Sequence, residues 1–513
     1  MNRFIKSKKI ETYDTTLRDG AQDPRSRSSV EKKLKIASLL QDFGFDYIEG
    51  GWPGANEVDT EFFRRAGKIF KKNKLVAFGM TIKNTQVEKD VGLKKLLESG
   101  TSIITLVGKT WKQNVERTIR IPGQQNLDNI YESIRFLVAQ GREVLFDAEH
   151  WFDSYRQNKN YAFKTLEAAL AGRASRLILC DTRGAGTDRF IFEATAAAIA
   201  RFPEARFGIH VHNDGGLAVI NTIRAVEAGA IHVQGTMNGI GERVGNLDWY
   251  SFLSTAQFKY AIEMGLDLTK LTGFAHTVAL ISGIPVPINA PYVGLYAFAH
   301  KGGLHASGQR RDREAYEHIK PECVGNKRVY VFSEQGGSAH LEFMLKDHGY
   351  TLNRKNPKFR ALLGKMKQYQ CFGRAQETLF LYENMEGGLM PFTILDGSGV
   401  EDFSPLPPKA YVNVQVNGDK YHKEAIGDGP INAFDIALKK ALSAKYPEVN
   451  EIRLLGYGVS LPNGDPSTAA EVEVCIKVEF DGEEITSVVR DTNQQRAGEK
   501  ALADAYNCCI IEN

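Results

Sequence analysis

Along the first 260 residues, apolar positions recur as short runs separated by longer amphipathic stretches. The runs are Ile10–Leu17, Tyr47–Trp52, Leu75–Met80, Ile103–Val107, Val144–Glu149, Leu177–Cys180, Phe207–Val211 and Ile231–Gly235. Most are brief and rich in Val, Ile, Leu or Phe, the composition of strands buried on both faces. Each ends in a Gly, Asp or His cluster. Between them the spacing becomes helical. Val30–Phe43 sets Leu34, Ile36, Leu39, Leu40 and Phe43 on one face, Leu127–Val138 does the same with Ile130, Ile134, Leu137 and Val138, and Ala194–Ile199 lies in an Ala-rich helix. Eight such βα repeats predict an α/β protein built on a (β/α)8 TIM barrel. A doubly wound open sheet is the alternative. The barrel is preferred because the count reaches eight and polar, chemically capable residues crowd the C-terminal ends of several runs.

The pattern changes after about residue 284. Ile284–Tyr292 carries three prolines and predicts an extended connection. A mixed helical segment follows, and then a separate α+β unit. In that unit Ala410–Val416 and Val472–Phe480 predict strands, Ala433–Ala444 a helix entered through the turn Gly427–Pro430, and Leu461–Asp465 a turn. The expected division is 1–285 for the catalytic barrel, 286–388 for linker subdomains and 389–513 for a C-terminal domain.

Composition narrows the class without choosing a function. A chain of 513 residues implies two or three domains. The 65 Lys and Arg against 62 Asp and Glu leave a net charge of +3, so no nucleic-acid partner is implied. Six scattered Cys without a CxxC pair point to a reducing compartment rather than a disulfide framework. No stretch approaches the ~20 apolar residues of a membrane span, and Met1–Ile10 has no apolar run behind it. The expectation is a cytoplasmic protein with no membrane partner.

Three segments carry candidate chemistry. In Gly208–Asp214 (GIHVHND), strand alternation points His210 and His212 to one face at a strand end. That is a pair of metal ligands, or else one core and one surface histidine. In Asp14–Gln22 (DTTLRDGAQ), Asp19 offers the carboxylate that would complete a two-His, one-carboxylate set with open positions for a chelating 2-oxo acid. Arg18 beside it suits a negative charge developing on a ketone oxygen; the plain alternative is a structural ion pair. In Asn238–Asn246 (NGIGERVGN), Gly239, Gly241 and Gly245 allow close backbone approach to a bulky nucleotide-like group, or mark only a turn.

Together these segments resemble the three signatures of the 2-isopropylmalate and homocitrate synthase family. They are Leu17–Gln22 with Lys33 following at the matching interval, His210–Gly216, and Asn238–Asn246. The C-terminal GDGPINAFDIALKKAL is similar to that family's allosteric dimerisation domain. Gly50–Asp59, Asp147–Tyr155, Cys180–Gly186 and Ala299–Gly308 are similar to its citramalate-forming branch, although Glu57 replaces a usual proline and DTRGAG a DTNGG-like stretch.

The resemblance implies metal ligation by Asp19, His210 and His212, with Asn246 as a fourth or outer ligand. It implies Arg18 as electrophilic stabiliser, Glu149 as the catalytic glutamate, Thr182 at the acceptor's carboxylate, and His305 near the thioester. It assigns Asn238, Gly239, Gly241, Glu242 and Gly245 to the loop that takes coenzyme A. The implied reaction joins acetyl-CoA to pyruvate by a Claisen condensation and hydrolyses the thioester, with a divalent ion (Mn, Mg, Zn or Co). A homodimer with a branched-chain amino acid as effector, isoleucine for this branch, is also implied.

Three alternatives are distinguishable. 2-Oxoisovalerate as acceptor would differ by one or two pocket side chains. An acyl-CoA lyase of the same barrel would place a cysteine in the loop after the eighth strand, and Asn238–Asn246 has none. A non-catalytic amino-acid sensor would not need Arg18, Asp19, Glu149, His210 and His212 together.

Overall fold

The computed structural model describes residues 9–513 except 68, 71–73, 84–85, 301–315, 331–336, 367–372, 403–405 and 462–469. They form two compact units. One comprises the chain up to Phe298 together with Ile319–Lys327, and the other Ala299–His318 with Arg328–Asn513.

The first unit is a closed barrel of eight parallel strands: β1 (Glu11–Asp14), β2 (Tyr47–Gly51), β3 (Leu75–Met80), β4 (Ile103–Lys109), β5 (Glu143–Glu149), β6 (Arg176–Asp181), β7 (Phe207–Val211) and β8 (His232–Gly235). β8 pairs back onto β1 in parallel register, Glu11 opposite His232 and Asp14 opposite Gly235. All eight predicted runs are barrel strands, so the open-sheet alternative is excluded by closure.

Period-two alternation divides the apolar side chains between two cores. Tyr13, Val76, Ile103, Leu145, Ile178 and Cys180 fill the inside of the barrel. A larger core, including Leu40, Phe62, Leu106, Ile134, Phe146 and Ile209, lies between the strands and the surrounding helices. Helix α1 (Val30–Phe43) starts where the Ser29 side chain accepts from the Lys32 N–H and stops at Gly44, whose φ of 113° ends it in the left-handed region.

The proline-rich stretch after residue 284 is not extended throughout. The Ala290 N–H donates to Pro287 O and the Gly294 N–H to Ala290 O, so it turns on itself. Proline fixes its own φ at about −65°, a value that suits turns, and Pro287 and Pro291 both lie within these turns.

The second unit begins with the short parallel pair β9 (Ala299–His300) and β10 (Val329–Tyr330), then helices over Gly337–Asp347, Pro357–Met366 and Arg374–Leu381. Two antiparallel sheets follow. One holds β11 (Phe392–Ile394), β12 (Gly399–Glu401), β13 (Lys409–Val416) and β14 (Asp419–Ile426), succeeded by the helix Pro430–Leu442. The other holds β15 (Arg453–Ser460), β16 (Val472–Phe480) and β17 (Glu483–Asp491), succeeded by Gln494–Glu512. The predicted strands are β13 and β16. The predicted helix starts three residues early, because Pro430 is suited to the first helical turn. The turn at Leu461–Asp465 lies outside the described residues beyond Leu461. No helix among the described residues is long and apolar enough to cross a membrane.

Candidate metal centre and active site

The chain leaves β1 in a tight turn, with the N–H groups of Arg18, Asp19 and Gly20 all donating to Thr15 O. This turn aims Arg18 and Asp19 over the C-terminal mouth of the barrel. His210 comes from β7 and His212 from the residue after it, both buried. Asp19 Oδ2 lies 3.3 Å from His210 Nε2 and 3.9 Å from His212 Nε2, and the two imidazole nitrogens are 3.5 Å apart. Both histidines are thus buried beside Asp19, and the alternative of one core and one surface histidine does not describe the structure. A triangle of these edges encloses a point about 2.1 Å from each atom, within the ~2.0–2.2 Å range of N and O ligands to small divalent ions.

Neighbouring groups fix the donor atoms. His210 Nδ1 is 2.9 Å from Gln234 Oε1, and the Gln234 amide donates to Asp147 Oδ1 at 3.0 Å. With Nδ1–H donated to Gln234, the lone pair of His210 sits on Nε2, facing Asp19. Burial, reinforced by His210, pushes His212 down to about 4, so its imidazole is neutral near pH 7. Burial opposes charge on Asp19, yet Arg18 and the histidines hold its carboxyl well below the usual range. Asn246 forms an isolated backbone bridge with His212, and its buried Oδ1 has no hydrogen-bond partner among the described residues. An orphaned buried oxygen beside two imidazoles and a carboxylate fits a divalent cation.

Arg18 is both paired and stacked. Its Nε donates to Glu49 Oε2 at 2.7 Å, its Nη1 lies 3.2 Å from Asp19 Oδ2, and its guanidinium sits 3.9 Å from the centre of the Phe78 ring. Glu49 is fully buried and also accepts from the Tyr13 hydroxyl at 2.6 Å and from Thr15 Oγ1. Beneath the mouth, Asp147 is pushed up to about 7 by burial and by the charge of Glu49.

Glu149 ends β5, with its Oε2 2.5 Å from Lys109 Nζ. Thr182, just past β6, accepts from the His150 N–H at 2.8 Å through Oγ1. The loop after β8 is bound to its neighbours. Arg243 donates to both oxygens of Asp214 and to Thr182 O, and Asn238 Nδ2 donates to Ala275 O at 3.0 Å. Its glycines serve contacts inside the loop. A Cβ on Gly245 would stand 1.8 Å from Gly239 O, one on Gly241 2.2 Å from Asn246 Nδ2, and one on Gly239 2.9 Å from Asp248 Cβ. Glu242 is exposed beside Arg243. His305 lies outside the described residues.

The structure thus brings Asp19, His210 and His212 to one point, with Arg18 against Asp19 and Asn246 beside His212. Glu149 and Thr182 stand at the ends of the neighbouring strands. Glu49, Lys109 and Gln234 border the site outside any motif, and Asp147 heads a segment singled out only by the resemblance. Gln234 was the accessible one, since His210 and Gln234 are cross-strand partners on adjacent predicted strands.

A closed (β/α)8 barrel with a buried two-histidine, one-carboxylate set at its C-terminal mouth defines a class of metal-site barrel. Residues 9–278 match the HMGL-like family, 292–370 the homocitrate synthase post-HMGL domain-like family, and 379–510 the LeuA allosteric (dimerisation) domain. An (R)-citramalate synthase from Aquifex aeolicus is 41% identical over 486 residues, covering 92% of each chain. One from Geobacter sulfurreducens is 37% identical, covering 91% of each. A 2-isopropylmalate synthase from Caulobacter sp. is 28% identical over 98% of this chain and 95% of its own. The chain belongs to the (R)-citramalate synthase family, within the HMGL-like barrels.

Proposed function

We propose that this protein condenses acetyl-CoA with pyruvate and hydrolyses the resulting thioester, releasing citramalate and coenzyme A. The observation that carries the chemistry is the convergence of Asp19, His210 and His212 on one point. The choice of pyruvate over 2-oxoisovalerate is supported by 41% identity to a citramalate synthase against 28% to a 2-isopropylmalate synthase.

Asp19, His210 and His212, with Asn246 beside them, would hold a divalent ion, which would supply Lewis-acid polarisation of the acceptor ketone. Arg18, fixed by Glu49 and Phe78, directs its remaining N–H groups toward the oxygen on which negative charge grows. The Thr182 hydroxyl, already accepting from His150, has its own hydrogen to donate to the acceptor's carboxylate. Glu149 takes a proton from the donor methyl group, with His305 as the second proton-moving group the family resemblance implies. The loop Asn238–Gly245 borders the side from which coenzyme A enters. The C-terminal unit serves as the homodimer contact and binds a branched-chain amino acid, isoleucine being the effector matched to this product. The cytoplasm is the compartment consistent with its substrates.

The test is thiol release from acetyl-CoA with pyruvate, 2-oxobutyrate, 2-oxoisovalerate and 2-oxoglutarate, repeated with Mn, Mg, Zn and Co. Pyruvate leading is the expected outcome. A lead by 2-oxoisovalerate would move the protein to the other branch, and no release with any pair would sink the condensation itself.

A further inference from the structure

Among the charged side chains at the barrel mouth that the steps above leave unused, Lys109 is the one that meets Glu149. Lys109 is the last residue of β4 and stands in register with Glu149, the last of β5. Its Nζ is 2.5 Å from Glu149 Oε2, and the two side chains are 24% and 22% exposed. The backbone beneath the pair is fixed on both strands. Asn126 Nδ2 donates to Lys109 O at 2.8 Å, while Thr110 donates to Glu149 O from its N–H at 3.2 Å and from Oγ1 at 2.6 Å. Neighbouring charges are engaged elsewhere: Arg183 pairs with Asp153, which also meets His150 Nδ1 at 3.0 Å. A partly exposed ion pair contributes little to stability, so stability alone gives no reason for so fixed a base.

Charge conservation gives one. When Glu149 takes a proton from the acetyl methyl group, the C–H bond breaks and the electron pair passes to the thioester carbonyl oxygen. One negative charge disappears from Glu149 and one appears on the donor. The ammonium that balanced the first is then without its partner beside the second, and its flexible four-carbon stem can follow the charge.

We propose that Lys109 is a catalytic residue of the condensation, neutralising Glu149 before proton transfer and the enolate oxygen after it. This rests on the functional reading above. A preformed cation placed where charge develops is worth about 10²–10³-fold in turnover.

The experiment compares wild type, Lys109→Met, Lys109→Gln and Lys109→Arg in pyruvate-dependent thiol release, using acetyl-CoA and its trideuteromethyl form. For Lys109→Met, kcat is expected to fall ~10²-fold or more, with the pyruvate KM little changed. The deuterium isotope effect should be at least that of wild type, because proton removal has become the slow step. Lys109→Arg, which keeps the charge, should retain clearly more turnover than either neutral variant. Lys109→Gln carries the same readings should the Met variant fold poorly. Neutral variants with turnover near wild type would overturn the proposal. So would a loss in which the isotope effect collapses toward unity, since a different step would then be impaired. Wild type releasing no thiol overturns the parent reading, and this proposal with it; an active wild type with indifferent Lys109 variants overturns this proposal alone.

Discussion

The two ends of the barrel are both polar, and they are polar in opposite ways. At the N-terminal end Glu11 accepts two hydrogen bonds from Arg176, at 2.6 and 2.8 Å, and another from Arg206 at 2.6 Å, while His232 Nδ1 lies 3.3 Å away. Arg176 also donates to the Tyr47 hydroxyl and pairs with Glu143. Despite burial, these cations hold Glu11 well below the usual carboxylate range. At the C-terminal end, acceptors face one another instead: Asp19 Oδ2, His210 Nε2 and His212 Nε2 crowd together, and Asn246 Oδ1 is left without a partner among the described residues. One end closes the barrel by pairing its buried Glu11 and Arg176. The other keeps lone pairs directed at a single point, an arrangement that favours ligand capture over stability.

This contrast can be broken experimentally. The largest effect belongs to the mouth. His212→Ala removes one of the three proposed ligands, and loss of several kcal/mol of Lewis-acid stabilisation should cut thiol release ~10³-fold or more. Its urea midpoint should shift little, since no hydrogen bond to Nδ1 is lost. Next comes Glu11→Ala at the opposite end. It strands buried Arg176 and His232 and should cost about 3–5 kcal/mol in urea unfolding, with turnover per folded molecule nearly unchanged.

The smallest effect sharpens the boundary between the two ends. Asp147 is buried and pushed up to about 7, so the folded protein retains a proton that the unfolded chain releases near 3.8. The sign follows: the group costs nothing below its unfolded value, and stability is lost as pH rises through the folded value. Asp147→Asn mimics the protonated acid and keeps an acceptor for Gln234. It should therefore exceed wild type by about 1–3 kcal/mol at pH 8 and match it near pH 4, measured by urea unfolding at both.

Much of this was legible in the sequence, for identifiable reasons. Barrel strands are buried on both faces, so their apolar runs stand out, and the pair His210 and His212 follows from alternation alone. β14 (DKYHKEAI) and β15 were missed because one is strongly charged and the other largely exposed, so neither carries a buried-strand pattern. Glu49 was missed for the converse reason: it is a single acid inside an apolar run, and only closure of the barrel shows that it points inward beneath the site, as Asp147 does. Lys109 lies two residues past the recognised run Ile103–Val107, and its meaning depends on register with Glu149, which pairing of separate strands creates. The glycines after β8 were expected to admit a ligand; in the fold they first admit one another.

That last feature bears on evolvability. At position 245 the obstacle to any side chain is the backbone oxygen of Gly239, and at 241 it is the amide that orients Asn246. The backbone oxygen cannot yield, and the amide could turn away only by giving up its hydrogen bond to Ile240 O. A lineage drifting toward another acceptor, or a library built to drive it there, has almost no viable substitutions at these two glycines. Variation falls instead to exposed loop side chains such as Glu242 and Val244 and to the other strand ends, and a search for altered specificity should begin there.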